Sequence, residues 1–229
     1  VRLNRRFAPD LYDSVCPVTA AKGGVRMGGV GEAIEHAVKM RQFRREDQFD
    51  RLLDAGRIEP RELEGFGRNL AVIHRQLPPA APGQKWGEPG AIRAVVLDNH
   101  SQCARAAKVF AGVADVRALR APLAARLDAL ASLMVDRRAA GRGKECHGDL
   151  HCSNIVRRGV DLIAFDCLEF EPAFRWIDVA DEIALLLADL HSRYRPQHAL
   201  AFLNGYLAQA ASNSRPSNAI RSTPRRTML

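Results

Sequence analysis

The sequence predicts an α+β fold in which a short β-rich segment precedes a mostly helical part that carries one β hairpin. Residues 11–19 and 33–40 are rich in β-branched and apolar side chains and are separated by glycines. Residues 60–77 place apolar side chains three and four positions apart, the spacing of a helix with one buried face. Residues 155–165 form two short apolar runs around a turn at Arg158-Gly159.

The β-rich segment, residues 1–42, is interpreted as the remnant of an N-terminal lobe. Its first strand, residues 11–19, contains Pro17, which has no backbone N–H and fits only at an edge or a bend. The chain begins with Val1 and not with Met. We therefore expect a longer protein from which the front is missing.

The helical part, residues 43–210, is predicted to begin with a short helix at 49–53 that Gly56 caps and a long helix that starts at Pro60. The long helix is expected to bury a stripe of apolar side chains: Leu63, Phe66, Leu70, Ile73 and Leu77. His74 adjoins this stripe and is expected to be a packed structural residue. Further helices are predicted at 95–112, 122–140, 176–190 and 196–210. The helix at 176–190 is expected to face inward with Ile177, Ala180, Ile183, Ala184, Leu187 and Leu190.

Composition and cysteine usage predict a soluble cytoplasmic protein without a membrane partner. Of 229 residues, 47% are hydrophobic and 26% are charged, which is ordinary for a globular protein. No apolar run is long enough to span a membrane, and the polar start VRLNRRF is unlike a signal peptide. Five cysteines without paired spacing are typical of a reducing compartment.

The last part of the chain, residues 211–229, is predicted to be a disordered tail because it offers few large apolar side chains and contains two prolines. It holds four arginines and no acid, which leaves +4 of the net charge of +8 for the other 210 residues. Basic and aromatic residues are not interleaved elsewhere. The sequence therefore favours no nucleic-acid partner.

The most informative stretch is the hairpin with the loop before it. Asn154 follows Asp149 at a distance of five residues, and the second strand stops at Asp166. Folded about the turn Arg158-Gly159, the hairpin pairs Asn154 with Ile163. Asp149, Asn154 and Asp166 then meet at the open end of the hairpin.

Three oxygen-bearing side chains at one end of a hairpin suit magnesium-dependent phosphoryl transfer. Mg²⁺ prefers a few hard oxygen ligands from the protein and completes its shell with phosphate oxygens and water. Asn154 and Asp166 fit that role. Asp149 is left to receive a proton from a hydroxyl nucleophile.

These motifs resemble those of the aminoglycoside phosphotransferase and choline kinase superfamily. The pattern HGDLHxxNI stands here as His147 to Ile155, and FDxxEF stands as Phe165 to Phe170. The stretches VRLNRRFAPDLY, IEHAVKMRQF and FRWIDVADEIALLL are similar to an uncharacterised bacterial subgroup of aminoglycoside-phosphotransferase-like proteins. The resemblance covers residues 1–210 and implies a protein-kinase-like fold, with a partial β-rich N-terminal lobe and a mostly helical C-terminal lobe.

The resemblance implies an ATP-dependent phosphotransferase that acts on a hydroxyl of a small molecule. Asp149 would deprotonate the acceptor, Asn154 and Asp166 would bind Mg²⁺, and His147 would brace the loop. Asp178 would support the catalytic loop by a hydrogen bond to its backbone. An acid in the first turn of a helix is also favoured by the helix dipole alone, and the two interpretations are compatible.

The residues that would bind ATP are not identified by the sequence. In the resembled family, strand 33–40 would lead into the hinge that contacts adenine, and the phosphate lysine would lie before Val1. Residues 28–31 and Lys39 imitate a phosphate loop and its lysine, but the spacing G-x-G-x-x-G is absent. We favour a mobile loop and a solvated charge. Glu169 resembles the second acid of the family's Asp-x-Glu motif, displaced by one residue.

The sequence allows three other interpretations. His147 and His151, with Cys146 and Cys152 beside them, suggest zinc, but such a pair binds zinc from one helix face and Gly148-Asp149 disfavours a helix. Acids that are merely solvated turn residues would leave their convergence unexplained. A catalytically inactive kinase-like fragment or binding module is the alternative from another functional class, because the chain lacks the phosphate lysine and its glycine-rich loop.

Overall fold

The computed structural model of the protein describes residues 1–81, 83–109 and 116–212. Within these ranges the chain is a mixed α+β structure, as predicted. The strands are β1 (Tyr12–Ala21), β2 (Gly24–Met27), β3 (Ala33–Met40), β4 (Gly143–Glu145), β5 (Ile155–Arg158), β6 (Asp161–Ala164) and β7 (Trp176–Asp178). The helices are α1 (Phe49–Asp54), α2 (Pro60–Gln76), α3 (Pro89–Ala107), α4 (Arg120–Ala139), α5 (Val179–Ser192) and α6 (Pro196–Ser212). None of the described helices has the length and apolar character needed to cross a membrane.

The first three strands form an antiparallel sheet in the order β2-β1-β3. β3 has the predicted bounds, and β2 is an additional strand within the glycine-rich stretch. Pro17 lies in the part of β1 that pairs with β3 alone, since pairing with β2 starts at Val18. It therefore occupies the edge-like position that its missing N–H predicts.

Helices α1 and α2 begin and end at the predicted signals. Gly56 follows α1 with a φ of +65°, which is the left-handed conformation that glycine adopts readily. Pro60 is the first residue of α2, and the Glu59 N–H donates to the Glu62 carboxylate at 2.9 Å. The predicted stripe of α2 is buried apart from Ile73, which is partly buried.

Helices α2 and α6 approach closely because each has a glycine at the contact. A side chain at Gly67 would overlap the carbonyl oxygen of Phe202, and one at Gly205 would overlap the carbonyl oxygen of Glu64. Backbone therefore meets backbone at this crossing. The contact fixes the two helices that carry His74 and Tyr206 into the protein interior.

Strands β5 and β6 form the predicted hairpin in a different register. Ile155 pairs with Ala164, and the turn is Gly159-Val160. The predicted pairing of Asn154 with Ile163 was therefore wrong by two residues. The reason is that the glycine, with a φ of +63°, takes the first position of the turn and not the second.

Residues 176–178 form strand β7 and not the first turn of a helix, which corrects the prediction of a helix at 176–190. β7 pairs antiparallel with β4, directly before the loop of interest. The buried residues of α5 are Val179, Glu182, Ile183, Leu186 and Leu190. Ala180 and Ala184, which were predicted to face inward, are exposed. Because α5 is apolar on most sides, its sequence does not define the buried face.

Helices α3 and α4 bury fewer side chains than the other helices. α3 begins at Pro89 and not at residue 95, and none of its described side chains is buried. In α4, which begins two residues before the predicted range and ends one residue before its end, Leu127 is the one buried residue. The predicted end of the earlier helix at residue 112 lies outside the described residues.

The first residues of the chain pack on the helical part. Leu3 and Phe7 belong to the same buried cluster as Phe49 and Leu70. Residues that precede the sheet thus share a core with α1 and α2.

Helix α6 runs on to Ser212, so two residues that were predicted to begin the tail, Ala211 and Ser212, are helical. The rest of the predicted tail, residues 213–229, lies outside the described residues.

Candidate functional site

Asp149 and Asn154 are joined through the side-chain amide of Asn154. The Asn154 Nδ2 donates to the Asp149 backbone oxygen at 3.0 Å and to the Asp149 Oδ2 at 3.1 Å. A short 3-10 helix, Cys152–Asn154, brings the two residues together directly before β5. The His151 ring caps this helix by accepting the Ser153 N–H at 3.3 Å. The five-residue spacing therefore places acid and amide in contact.

Asp166 lies two residues beyond β6, next to the short helix Cys152–Asn154. The Phe165 N–H donates to the Asn154 backbone oxygen at 2.9 Å, so the residue before Asp166 is bonded to Asn154. Asp166 has a φ of +64°, a left-handed conformation that residues other than glycine adopt rarely. Backbone strain of this kind is concentrated at functional sites.

Several oxygens of these residues are available to a ligand. Across the described part of the chain, neither Asn154 Oδ1 nor the Asp166 carboxylate has a hydrogen bond or an ion pair. Asp166 is exposed, and the Asp149 side chain is 46% exposed and lies 3.5 Å from the His151 Nε2. Carboxylate and amide oxygens are hard donors, so this set fits Mg²⁺.

His147 is fully buried and links the loop to the segment around Asp166. Its Nε2 donates to the Phe165 carbonyl at 2.8 Å, and its Nδ1 accepts the Asp149 N–H at 3.3 Å. Burial lowers the pKa of His147, which favours the neutral ring with one donor and one acceptor. Both ring nitrogens are thus used within the protein, which argues against the zinc interpretation.

Two side chains near the N-terminus hold the backbone around Asp166. Tyr12 Oη accepts the Asp166 N–H at 2.9 Å, and Asn4 Oδ1 accepts the Cys167 N–H at 2.7 Å. Asn4 Nδ2 also donates to the Glu169 carboxylate at 2.8 Å. Burial raises the pKa of Tyr12 to about 12, so the hydroxyl is protonated at neutral pH. Sequence reasoning missed both residues.

Glu182, in α5, holds the backbone of the loop. Its Oε1 accepts the N–H groups of His147 at 2.5 Å and Gly148 at 2.9 Å. Its Oε2 contacts the His74 Nε2 at 2.5 Å. Burial raises the pKa of this carboxyl, but the hydrogen bonds from His74 and the loop outweigh burial, and the net shift is downward. Sequence reasoning missed Glu182, although an acid within an apolar helix is a usable signal.

His74 is buried, as predicted, and lies between Glu182 and Tyr206, whose Oη is 2.9 Å from the His74 Nδ1. The ligand atoms of His74, Cys146 and Glu182 lie within 4.8 Å of one another, which raises the question of a metal site. Burial raises the pKa of the Cys146 thiol, and the other two residues are already hydrogen-bonded. These residues therefore fit a buried hydrogen-bond network better than a metal centre.

Asp178 has partners other than the loop backbone. It is the N-cap of α5, where its Oδ1 accepts the Ala180 N–H at 2.7 Å, and its carboxylate binds the Arg137 guanidinium at 2.6 and 2.7 Å. The hydrogen bond that was expected from Asp178 to the loop is made by Glu182 instead. The capping interpretation of Asp178 is the one that matches the structure.

A charged cluster adjoins the loop at Glu145. This buried carboxylate binds Arg2 at 2.9 Å, Arg6 at 3.2 Å and Arg175 at 3.2 Å. Hydrogen bonds from Arg2 and Arg175 lower its pKa against the effect of burial. Three cations around one anion give this cluster, taken by itself, an excess of positive charge.

A surface depression of about 420 Å³ lies beside the hairpin. Its lining consists of Gln42, Phe43, Arg44, Asp47 and Arg158. Arg158 is the last residue of β5, whereas Asn154 precedes that strand. Phe43, by contrast, packs edge-on against Phe165, the residue before Asp166, at a centroid distance of 5.0 Å.

Comparison with known proteins gives relatives from mycobacteria. The chain is 28% identical over 221 residues to uncharacterized proteins of Mycobacterium tuberculosis, in strains H37Rv and CDC 1551, and of Mycobacterium bovis. Each alignment covers 93% of this chain and 41% of the relative, so the chain spans less than half the length of these relatives. No family model matches the chain, and no solved structure gives a significant match.

Proposed function

We propose that the protein is an ATP-dependent phosphotransferase with a kinase-like fold that acts on a hydroxyl of a small molecule and uses Mg²⁺. The proposal starts from the resemblance of residues 147–155 and 165–170 to the aminoglycoside phosphotransferase and choline kinase superfamily. The observation that carries it is the contact at the open end of the hairpin. There Asn154 binds Asp149 through its side chain, and its backbone binds the residue before Asp166.

Asp149 is the proton acceptor in this proposal. The Asn154 amide holds one carboxylate oxygen, and the other oxygen is open to an acceptor hydroxyl. As the hydroxyl oxygen bonds to the γ-phosphorus, the bond from phosphorus to the β,γ-bridging oxygen breaks. ADP leaves, and the hydroxyl proton passes to Asp149.

Asn154 and Asp166 are the proposed magnesium ligands. The Asn154 amide uses its nitrogen to hold Asp149, which leaves Oδ1 as a free donor, and the exposed Asp166 carboxylate is another. Mg²⁺ held by these two residues would offset the charge on the transferred phosphoryl group. The backbone of Asp166 is fixed in advance, which reduces the ordering cost of binding.

A second candidate function is a kinase-like binding module without turnover. Lys39, the lysine that follows the glycine-rich stretch, is 64% exposed and forms an ion pair with Asp13 at 2.8 Å. It is therefore not preorganised to bind phosphate. Positioning of the phosphates supplies most of the catalysis in phosphoryl transfer, so a chain with the metal ligands alone would bind Mg²⁺–ATP and turn it over poorly.

The test is Mg²⁺-dependent ADP formation with a panel of hydroxyl compounds that includes sugars, aminocyclitols and amino alcohols. We expect one class to raise ADP formation above the acceptor-free rate. Asp149→Asn should lower that rate by about 100-fold or more, because a positioned general base contributes this much. Asp161→Asn, at the turn end of the same hairpin, is the matched control and should leave the rate unchanged.

Two results would contradict parts of this proposal. A rate that Asp149→Asn leaves intact would remove this residue from the chemistry. Tight binding of Mg²⁺–ATP without ADP formation on any acceptor would favour the binding module.

A further inference from the structure

Four consecutive backbone N–H groups around the proposed metal ligand are bonded to residues outside their own segment. The amides of residues 165–168 donate, in order, to Asn154, Tyr12, Asn4 and His147. This segment follows β6 and has no helix or ladder of its own. Its path is therefore set by these four acceptors.

The conformation that the acceptors enforce is an unfavourable one. Asp166 has a φ of +64°, and an aspartate in a free chain prefers negative φ. Such a residue stays left-handed when its surroundings determine its backbone on both sides. The amide of Asp166 and the amide that follows it are held by Tyr12 and Asn4, whose exposures are 5% and 1%.

We propose that Asn4 and Tyr12 are positioning residues, which hold Asp166 in its left-handed conformation and thereby aim its carboxylate at the metal. The inference rests on the proposed function for the identity of the ligand. It extends that function by giving the N-terminal segment a part in the site.

The proposal also couples the sheet to the site. Tyr12 is the first residue of β1 and pairs with Met40 of β3. The Tyr12 carbonyl accepts a hydrogen bond from Arg5 at 3.0 Å, which ties it to the turn that carries Asn4. A shift of the sheet against the hairpin would therefore move the acceptor of the Asp166 amide directly.

The first measurement is amide hydrogen exchange in the Tyr12→Phe and Asn4→Ala variants. Phenylalanine keeps the ring and removes only the acceptor. We expect exchange at Asp166 to rise by about tenfold or more in Tyr12→Phe, and exchange at Cys167 to rise likewise in Asn4→Ala, because each amide loses the acceptor that it has among the described residues. Amides of α2 should keep their protection. Tyr194→Phe, at a tyrosine that is 87% exposed, is the control.

The second measurement is the affinity for Mn²⁺ alone, followed by electron paramagnetic resonance under conditions in which every variant is folded. Tyr12→Phe should weaken Mn²⁺ binding by roughly fivefold, the factor that corresponds to one hydrogen bond of ~1 kcal/mol. The double variant, Tyr12→Phe with Asn4→Ala, should bind Mn²⁺ more weakly still. Tyr194→Phe should bind as the wild type does.

The outcomes separate this inference from the proposed function. Unchanged exchange at Asp166 in Tyr12→Phe would overturn the inference, and so would lost protection with unchanged Mn²⁺ affinity. If the wild type binds no Mn²⁺, the proposed function loses its metal site. The exchange data would then still decide whether Asn4 and Tyr12 fix the backbone at Asp166.

Discussion

At the scale of single residues, the candidate site depends on which atom of each side chain is already in use. Asn154 holds the Asp149 carboxylate with its nitrogen, and so its oxygen stays free. An aspartate at this position could not donate, and it would place two carboxylates next to each other, which like-charge repulsion disfavours. An amide at position 154 can therefore hold the Asp149 carboxylate and still offer an oxygen to a ligand.

The strain at Asp166 predicts a gain in stability at the expense of the site. Asp166→Gly should raise the free energy of unfolding by about 0.5–1 kcal/mol, because glycine adopts positive φ without strain and the exposed aspartate side chain has no partner to lose among residues 1–81, 83–109 and 116–212. The measurement is urea denaturation at pH 7. Asp161→Gly, in strand β6, is the control and should lower stability by about 0.5–1 kcal/mol. Equal losses in both variants would show that the backbone at Asp166 is unstrained.

The buried ring of His147 predicts a pH dependence of stability. Burial lowers its pKa in the folded protein, so between the folded pKa and an unfolded value of about 6.5 only the unfolded chain takes up the proton. The contribution of His147 to the free energy of unfolding is fully present above pH ~6.5. It falls as the pH is lowered below that value, by up to about 1.4 kcal/mol per pH unit.

Urea denaturation between pH 7.5 and pH 5.5 measures this slope. His147→Gln should flatten it, whatever its effect on stability at pH 7.5. His36→Gln changes an exposed histidine and should leave the slope as in the wild type. A slope that survives in His147→Gln would assign the pH dependence to other groups.

The residues at the hairpin end could be predicted because Asp149, Asn154 and Asp166 are close in sequence and share one local unit. Tyr12 and Asn4 could not be predicted, since their hydrogen bonds to the segment after β6 span 154 and 163 residues. Contacts of that length follow from the packing of the whole chain. No local pattern encodes them.

At the scale of secondary-structure elements, boundaries were predictable where a breaker marks them. Pro60 begins α2, and Gly56 follows α1. In residues 176–190 four acids are scattered among the apolar residues, and one of them, Glu182, is buried. Polarity along the sequence therefore identified neither the strand β7 nor the buried face of α5. The register of the hairpin depended on one residue, because moving Gly159 from the second to the first turn position shifts the pairing by two.

The contact between α2 and α6 predicts opposite effects for two glycines on one helix. Gly67→Ala should lower the free energy of unfolding by about 1–3 kcal/mol, because its methyl group would overlap the Phe202 carbonyl. Gly65→Ala has open space around it and should raise stability by about 0.5–1 kcal/mol through helix propensity. Thermal or urea denaturation of both variants gives the comparison. Equal effects would mean that the close contact is absent.

At the scale of the whole molecule, the N-terminal residues and the helical part pack around one hairpin. Phe7 meets the His147 ring edge-on at a centroid distance of 5.2 Å, and Tyr12 binds the backbone of Asp166. The α+β class was predictable from the composition of the segments. The kinase-like arrangement and its two-part division remain predictions, and the relatives that the chain matches are more than twice its length.

The central claim of the proposed function is that Asp149 accepts the proton of the acceptor hydroxyl, whereas Asn154 and Asp166 bind the metal. Calorimetric titration with Mn²⁺–ATP of the wild type, Asp149→Asn and Asp166→Asn tests it most directly, with Asp161→Asn as control. We predict that Asp149→Asn keeps the affinity within about threefold and that Asp166→Asn loses about tenfold or more, since one removes a base and the other a metal ligand. Wild-type affinity in Asp166→Asn, or equal losses in both variants, would contradict the account.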